Sequence, residues 1–64
     1  MDANSQQKVI AAGFTILHTD YDSANIKCKG KKHSKWEIFE MFKTKAARDK
    51  RLKELLEKSN YIFD

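Results

Sequence analysis

Proline is absent from this chain of 64 residues, and glycine occurs only twice, at Gly13 and Gly30. Domain linkers are often rich in these residues, so no boundary is indicated and residues 1–64 are predicted to form one small domain. The single cysteine excludes an internal disulfide and favours a reducing compartment, so we expect a cytoplasmic protein. No apolar run approaches the roughly 20 residues of a membrane span, and the start lacks a signal-peptide core, so no membrane partner is expected.

The composition, with 41% hydrophobic and 34% charged residues, permits a compact core and argues against a disordered chain. The formal net charge is +4, from 13 Lys and Arg against 9 Asp and Glu, which favours anionic partners but also suits simple solubility. A chain this short buries only about 60% of the surface that its unfolded form exposes. An active-site cavity is hard to accommodate in so small a core, so we expect a protein that is not an enzyme.

The stretch from Trp36 to Lys58 changes from a period of two residues to a helical period near Thr44. Alternation along the strand half places Trp36, Ile38 and Phe42 on one side of the chain. Phe39 and Met41 then fall on the other side. The strand is therefore predicted to have two apolar faces.

The helical half of this stretch begins after Thr44, which has the position and side chain of an N-cap. At about 100° per residue, Leu52, Leu55 and Leu56 share one side of the helix, with Arg48 inside the same arc. We expect this apolar stripe to pack on the preceding strand. For Arg48, we favour a side chain that extends along the stripe to solvent over one that pairs with an acidic group at the sheet edge.

The remaining segments complete an α+β order. A short N-terminal helix, QQKVIAA, capped by Asn4 or Ser5, is expected to end at Gly13, before a strand in FTILHTDY and a turn at DYDS. A second strand in ANIKCKG and a turn over Gly30 to Lys35 complete a three-stranded antiparallel meander. The long C-terminal helix packs on this sheet, and residues 61–63 are expected to dock beside the first strand as a short fourth strand.

Metal and catalytic motifs are lacking. His18, Cys28 and His33 are the only histidine and cysteine ligands, and their spacing contains no C-x-x-C or paired histidine, so we predict neither a metal site nor a cofactor. Asp20 and Asp22 are best interpreted as turn residues rather than as paired catalytic carboxylates.

Lysines concentrate in the second strand and the turn that follows it. The members of this group are Lys27, Lys29, Lys31, Lys32 and Lys35. Two explanations are open: these lysines bind phosphates, or they keep an outer strand from pairing with other chains. Asn25 is the one side chain on the lysine face of the second strand suited to contact a base edge.

The element order resembles that of sheet-type DNA-binding modules, such as integrase amino-terminal domains, in which strands enter the major groove. This resemblance implies that strands of the sheet contact DNA. Our leading hypothesis is therefore a non-enzymatic module that binds nucleic acid weakly and without sequence preference through the basic hairpin.

An alternative hypothesis starts from the two apolar faces of the third strand. If one face packs on the long helix, Phe39 and Met41 need another cover, which Val9 and Ile10 of the first helix, a second copy or another protein would supply. We favour coverage by the first helix. The alternative is a protein-interaction or homodimeric accessory protein that uses Phe39, Met41 and Trp36.

Overall fold

The computed structural model describes residues 1–64, apart from the side chains of residues 33 and 34. The helices are α1 (Ala3–Ala11) and α2 (Lys45–Leu56). The strands are β1 (Thr15–Thr19), β2 (Asn25–Gly30), β3 (His33–Met41) and β4 (Tyr61–Phe63). They form one sheet in the order β3-β2-β1-β4, in which the first three strands are antiparallel and β4 runs parallel to β1. The predicted α+β class and the short fourth strand are confirmed.

The first helix begins earlier than its sequence suggests. The Asp2 carboxylate accepts a hydrogen bond from the backbone N–H of Ser5 at 2.7 Å, so Asp2 is the N-cap rather than Asn4 or Ser5. After the helix ends, Gly13 has φ of 101°, a conformation that residues with a Cβ rarely adopt. Gly13 therefore ends α1 as predicted.

The second helix starts where the sequence places it. Thr44 Oγ1 accepts from the backbone N–H of Ala47 at 3.1 Å, which confirms the predicted N-cap. Of the three leucines on the predicted apolar stripe, Leu55 is buried, Leu52 is half-buried and Leu56 remains 36% exposed. The contact of α2 with the sheet is therefore narrow and centred on Leu55.

Both faces of the sheet are covered by helices. Leu17, Ile26 and Cys28 form a buried cluster with Leu55 of α2. Ile16, which alternation turns to the opposite face, is also fully buried, and α1 contacts β1 on that side. Both faces of β1 therefore contribute to the core, whereas Phe14, just before the strand, is only half-buried.

The edge strand β3 departs from simple alternation. Ile26 pairs with Glu40 and Lys27 pairs with Ile38, so Phe39 is an extra residue in a β-bulge. Phe39 packs against the α2 side of the core, and Met41 is 72% exposed. The prediction that α1 covers both side chains is wrong, since α2 covers Phe39 and Met41 stays exposed.

The buried arginine has a different role from the one expected. Arg48 Nη1 donates to the carbonyl oxygens of Asp20, at 2.9 Å, and Ser23, both in the β1–β2 turn. Its Nε donates to the Asp49 carboxylate at 2.9 Å, and only 8% of the residue is exposed. The guanidinium therefore joins α2 to the turn instead of extending into solvent.

In the part of the chain that the structure describes, no helix has the length and apolar character needed to cross a membrane.

Candidate nucleic-acid interface

The turn between β2 and β3 consists of two residues, Lys31 and Lys32, and is shorter than the predicted turn over residues 30–35. Both lysines are exposed. Lys35, which the sequence places in the turn, lies in β3 and is exposed as well. None of the three makes an ion pair with a residue whose side chain is described. We call these three residues the free lysines.

The two lysines within β2 have intramolecular partners instead. Lys27 Nζ lies 2.7 Å from Asp20 Oδ2. Lys29 Nζ donates to Gln6 Oε1 at 3.1 Å and lies 5.9 Å from the centroid of the Trp36 ring. Both lysines are half-buried. The five predicted lysines therefore do not form one equivalent surface, because two of them already contribute to the fold.

Asn25, the predicted base-contacting residue, lies at the far end of β2 from the free lysines. It pairs with Met41 across the sheet, and its backbone N–H donates to Ser23 Oγ at 3.2 Å. The structure therefore does not bring Asn25 together with the basic turn.

A cleft of about 410 Å³ adjoins the turn on the sheet face that α2 packs against. Its lining includes the aromatic residues Phe14, Phe39 and Tyr61, together with Lys31 and Lys32 of the turn. The rings of Phe39 and Tyr61 lie 5.9 Å apart at 70°, so one ring presents its edge to the other. We call this site the aromatic cleft.

The lining of the aromatic cleft also includes small residues. Thr15, Cys28 and Gly30 contribute to its lining. Burial raises the pKa of the Cys28 thiol, with a further contribution from the negative charge of Glu37. The thiol is therefore protonated near neutral pH and forms an apolar wall rather than a nucleophile.

Exposed apolar side chains lie on the other face of β3. Trp36, Ile38 and Met41 are 36%, 54% and 72% exposed, respectively, and we call them the apolar row. The His18 ring lies 5.5 Å from the Trp36 ring on this face. Of the residues named in the alternative hypothesis, Trp36 and Met41 belong to the row, whereas Phe39 does not. The hypothesis omitted Ile38, although alternation grouped Ile38 with Trp36.

Metal-binding groups do not converge among the described side chains, where no cluster of three or more His, Cys, Asp and Glu residues occurs. Cys28 is buried in the core, and His18 Nδ1 makes a hydrogen bond of 2.8 Å with the Asp64 carbonyl oxygen. The side chain of His33, the remaining candidate, lies outside the described residues.

Sequence reasoning did not find the aromatic cleft. Its rings come from distant positions that are joined when Thr15 pairs with Tyr61 in the β1–β4 ladder and when the bulge in β3 turns Phe39 inward. The only signal in the sequence is that aromatic residues stand at the starts of the β1 and β4 segments. Comparison with protein-family models, curated proteins and solved structures finds no match to this chain.

Proposed function

We propose that this chain is a non-enzymatic, cytoplasmic module that binds DNA or RNA by holding phosphates with the free lysines. The observation that supports this proposal is that Lys31, Lys32 and Lys35 are exposed and unpaired among the described side chains, beside one hairpin turn. Lysines without carboxylate partners keep their full charge available for phosphates. The net charge of +4 adds long-range attraction for an anionic polymer.

The proposed binding is weak and has little sequence preference. Phosphate contacts position a protein on nucleic acid, whereas sequence is recognised by side chains that reach base edges. Asn25 is the residue suited to that task, and it lies at the opposite end of β2 from the free lysines.

A salt titration tests this proposal. If each free lysine contacts one phosphate, the logarithm of affinity should fall against the logarithm of salt concentration with a slope of about −3 for duplex DNA and about −2 for single strands. Replacing Lys31 and Lys32 together by alanine should weaken binding and flatten the slope by roughly 1.5 to 2 units. The measurement is fluorescence anisotropy of a labelled oligonucleotide at several salt concentrations.

The α2 helix offers a control with the same change in charge. Lys50 and Lys53 are also exposed, and a double alanine variant there lowers the net charge equally on a different element of the fold. This control should keep the slope of the unmodified protein. The absence of binding at low salt and micromolar protein, or equal losses in the two double variants, would mean that the free lysines only solubilise the edge strand.

A second candidate function has its own structural support. The apolar row exposes Trp36, Ile38 and Met41 on an edge strand, and contiguous exposed apolar groups commonly mark protein interfaces. In this proposal, the row binds a second copy or another protein. It does not depend on the free lysines.

Two substitutions on adjacent residues of β3 test the second candidate. Ile38→Ser should keep the fold and should shift any concentration-dependent dimer toward monomer, because Ile38 is 54% exposed. Phe39→Ser should instead destabilise the monomer, because Phe39 packs against the core. Sedimentation velocity measures the first effect, and thermal unfolding measures the second. A protein that stays monomeric at high concentration would exclude self-association through the row.

A further inference from the structure

We infer that the aromatic cleft takes one unstacked nucleobase, so that the protein prefers single-stranded DNA or RNA to duplex. This inference rests on the proposed function, because the same strand that places a base in the cleft places its phosphate on Lys31 and Lys32. The inference goes further in two ways. It specifies the ligand as an unpaired strand, and it names the aromatic cleft as the surface that distinguishes such a strand from a duplex.

The size and chemistry of the cleft fit a flat aromatic ring. Its volume of about 410 Å³ lies near the lower end of the range of about 300 to 1,000 Å³ that is typical of small-ligand sites. Three of the residues that line it, Phe14, Phe39 and Tyr61, are aromatic. Bases stack on such rings without regard to sequence, because every base has a π face.

The charge around the cleft selects an anion. None of the described residues that line it is acidic, and two of them, Lys31 and Lys32, are exposed lysines. An unpaired nucleotide combines a flat ring with an adjacent phosphate, which matches aromatic walls beside a cationic rim. In a duplex the bases are stacked and paired, so a base must first leave the helix before it can enter.

An oligonucleotide that lacks bases isolates the contribution of the cleft. Oligothymidylate and an abasic strand of the same length, about 10 nucleotides, carry the same phosphates, and only the first has bases to stack. The unmodified protein should bind oligothymidylate roughly five- to 100-fold more tightly than the abasic strand. It should also bind oligothymidylate more tightly than the corresponding duplex.

Gly30 allows the cleft to be filled without removing a core group or a charge. A Cβ added at Gly30 would meet Thr15 Oγ1 at 3.5 Å and Thr15 Cγ2 at 3.8 Å, which are ordinary contacts. A Cβ at Gly30 is therefore tolerated, and we expect the longer side chain of Gly30→Leu to extend into the cleft that Gly30 lines. This variant should bind oligothymidylate and the abasic strand equally, with the salt dependence kept. Phe14→Leu, which removes one ring wall and keeps an apolar side chain, should reduce the preference in the same direction and serves if Gly30→Leu does not fold.

Tyr61 supplies a readout independent of affinity, because it lines the cleft. Saturating oligothymidylate should shift the ring-proton resonances of Tyr61, because a stacked base adds its own ring current, whereas a saturating abasic strand should shift them little. Equal affinity for the two strands, or a preference that both cleft variants retain, would overturn the inference and leave phosphate binding intact. Failure to bind any of the three nucleic acids would overturn the proposed function and the inference together.

Discussion

The side chain of Arg48 links α2 to the β1–β2 turn through its guanidinium group. Its guanidinium satisfies two carbonyl oxygens of the β1–β2 turn while remaining 8% exposed. Helical periodicity placed Arg48 on the buried side of α2, but periodicity cannot show which polar atoms will meet it. The partners are backbone carbonyls, which have no side-chain signature.

Replacing Arg48 by Met should therefore be costly, because the methionine fills the volume of the aliphatic stem and leaves two turn carbonyls without a donor. We expect a loss of about 1–3 kcal/mol in the free energy of unfolding. Arg48→Lys should recover only part of this loss, since an ammonium group cannot reproduce the planar array of donors. Urea denaturation measures these differences.

Arg51 is the matched control on the same helix. It pairs with Glu40 at 3.1 Å and is a partly exposed ion pair, so Arg51→Met should cost only about 0–1 kcal/mol. Equal effects at the two arginines would show that the turn carbonyls gain little from Arg48.

At the scale of elements, α2 depends on a narrow line of contact with the sheet. Leu55 is 1% exposed and belongs to the core cluster, whereas its neighbour Leu56 is 36% exposed. We expect Leu55→Ala to lower the free energy of unfolding by about 2–5 kcal/mol, through lost burial and the cavity left behind. Leu56→Ala is the control and should cost much less. Thermal unfolding of both variants checks this, and melting temperatures that fall equally would place the core face of α2 elsewhere.

The order and boundaries of the helices and strands were largely predictable from the sequence. Which side chains of β3 face the core was not. Thr44 and Gly13 carry local signals, a capping hydroxyl and a residue that tolerates positive φ, so both helix boundaries marked by them were found. The face of Phe39 depends instead on a bulge opposite Ile26 and Lys27. A bulge inserts one residue and reverses the alternation beyond it, and no residue in the segment identifies where it falls.

The candidate site was predictable only in part for the same reason. Lys31, Lys32 and Lys35 stand out in the sequence as a local concentration of charge, and the structure leaves them exposed. Lys27 pairs with Asp20, which is close to it in sequence. Lys29 donates to Gln6, which is distant in sequence. Pairing between side chains requires the tertiary arrangement, so the sequence could not separate the paired lysines from the free ones.

At the scale of the whole molecule, two carboxylates hold parts of the fold together: Asp20 pairs with Lys27 of the neighbouring strand, and Asp64 joins the two ends of the chain. A hydrogen bond from Lys27 lowers the pKa of Asp20, with a smaller contribution from His18. The N-terminal ammonium and Gln6 donate to Asp64 at 2.8 and 2.7 Å and lower the pKa of its carboxyl group. Both carboxylates therefore stabilise the folded state in their ionised form.

Stability should consequently be lost in acid. A carboxyl group whose folded pKa is depressed contributes fully above its unfolded pKa, near 3.8, and the contribution disappears as the pH falls through the lower folded value. The melting temperature should therefore be nearly constant between about pH 5 and pH 7 and should drop below about pH 4. Melting curves measured across this range by circular dichroism check the prediction.

Asp20→Asn should lower the melting temperature at neutral pH, because the ion pair with Lys27 is lost. The drop in acid should be shallower, because the variant has no carboxylate at this position to be protonated. Asp22→Asn in the same turn is the control, since Asp22 is exposed and makes no ion pair with the described side chains. Identical acid profiles for the protein and its Asp20 variant would contradict this account.

The bulged form of β3 also bears on the behaviour of the protein at high concentration. A straight, regular outer strand can act as a template on which further copies polymerise, each new copy presenting the same template to the next. Here the pairing of β3 is irregular at two places, and the opposite outer strand, β4, is only three residues long. Neither side of the sheet offers a long uninterrupted ladder. We therefore expect the bulge that turns Phe39 inward also to disfavour strand-by-strand polymerisation, which is a different process from pairing of two copies through the apolar row.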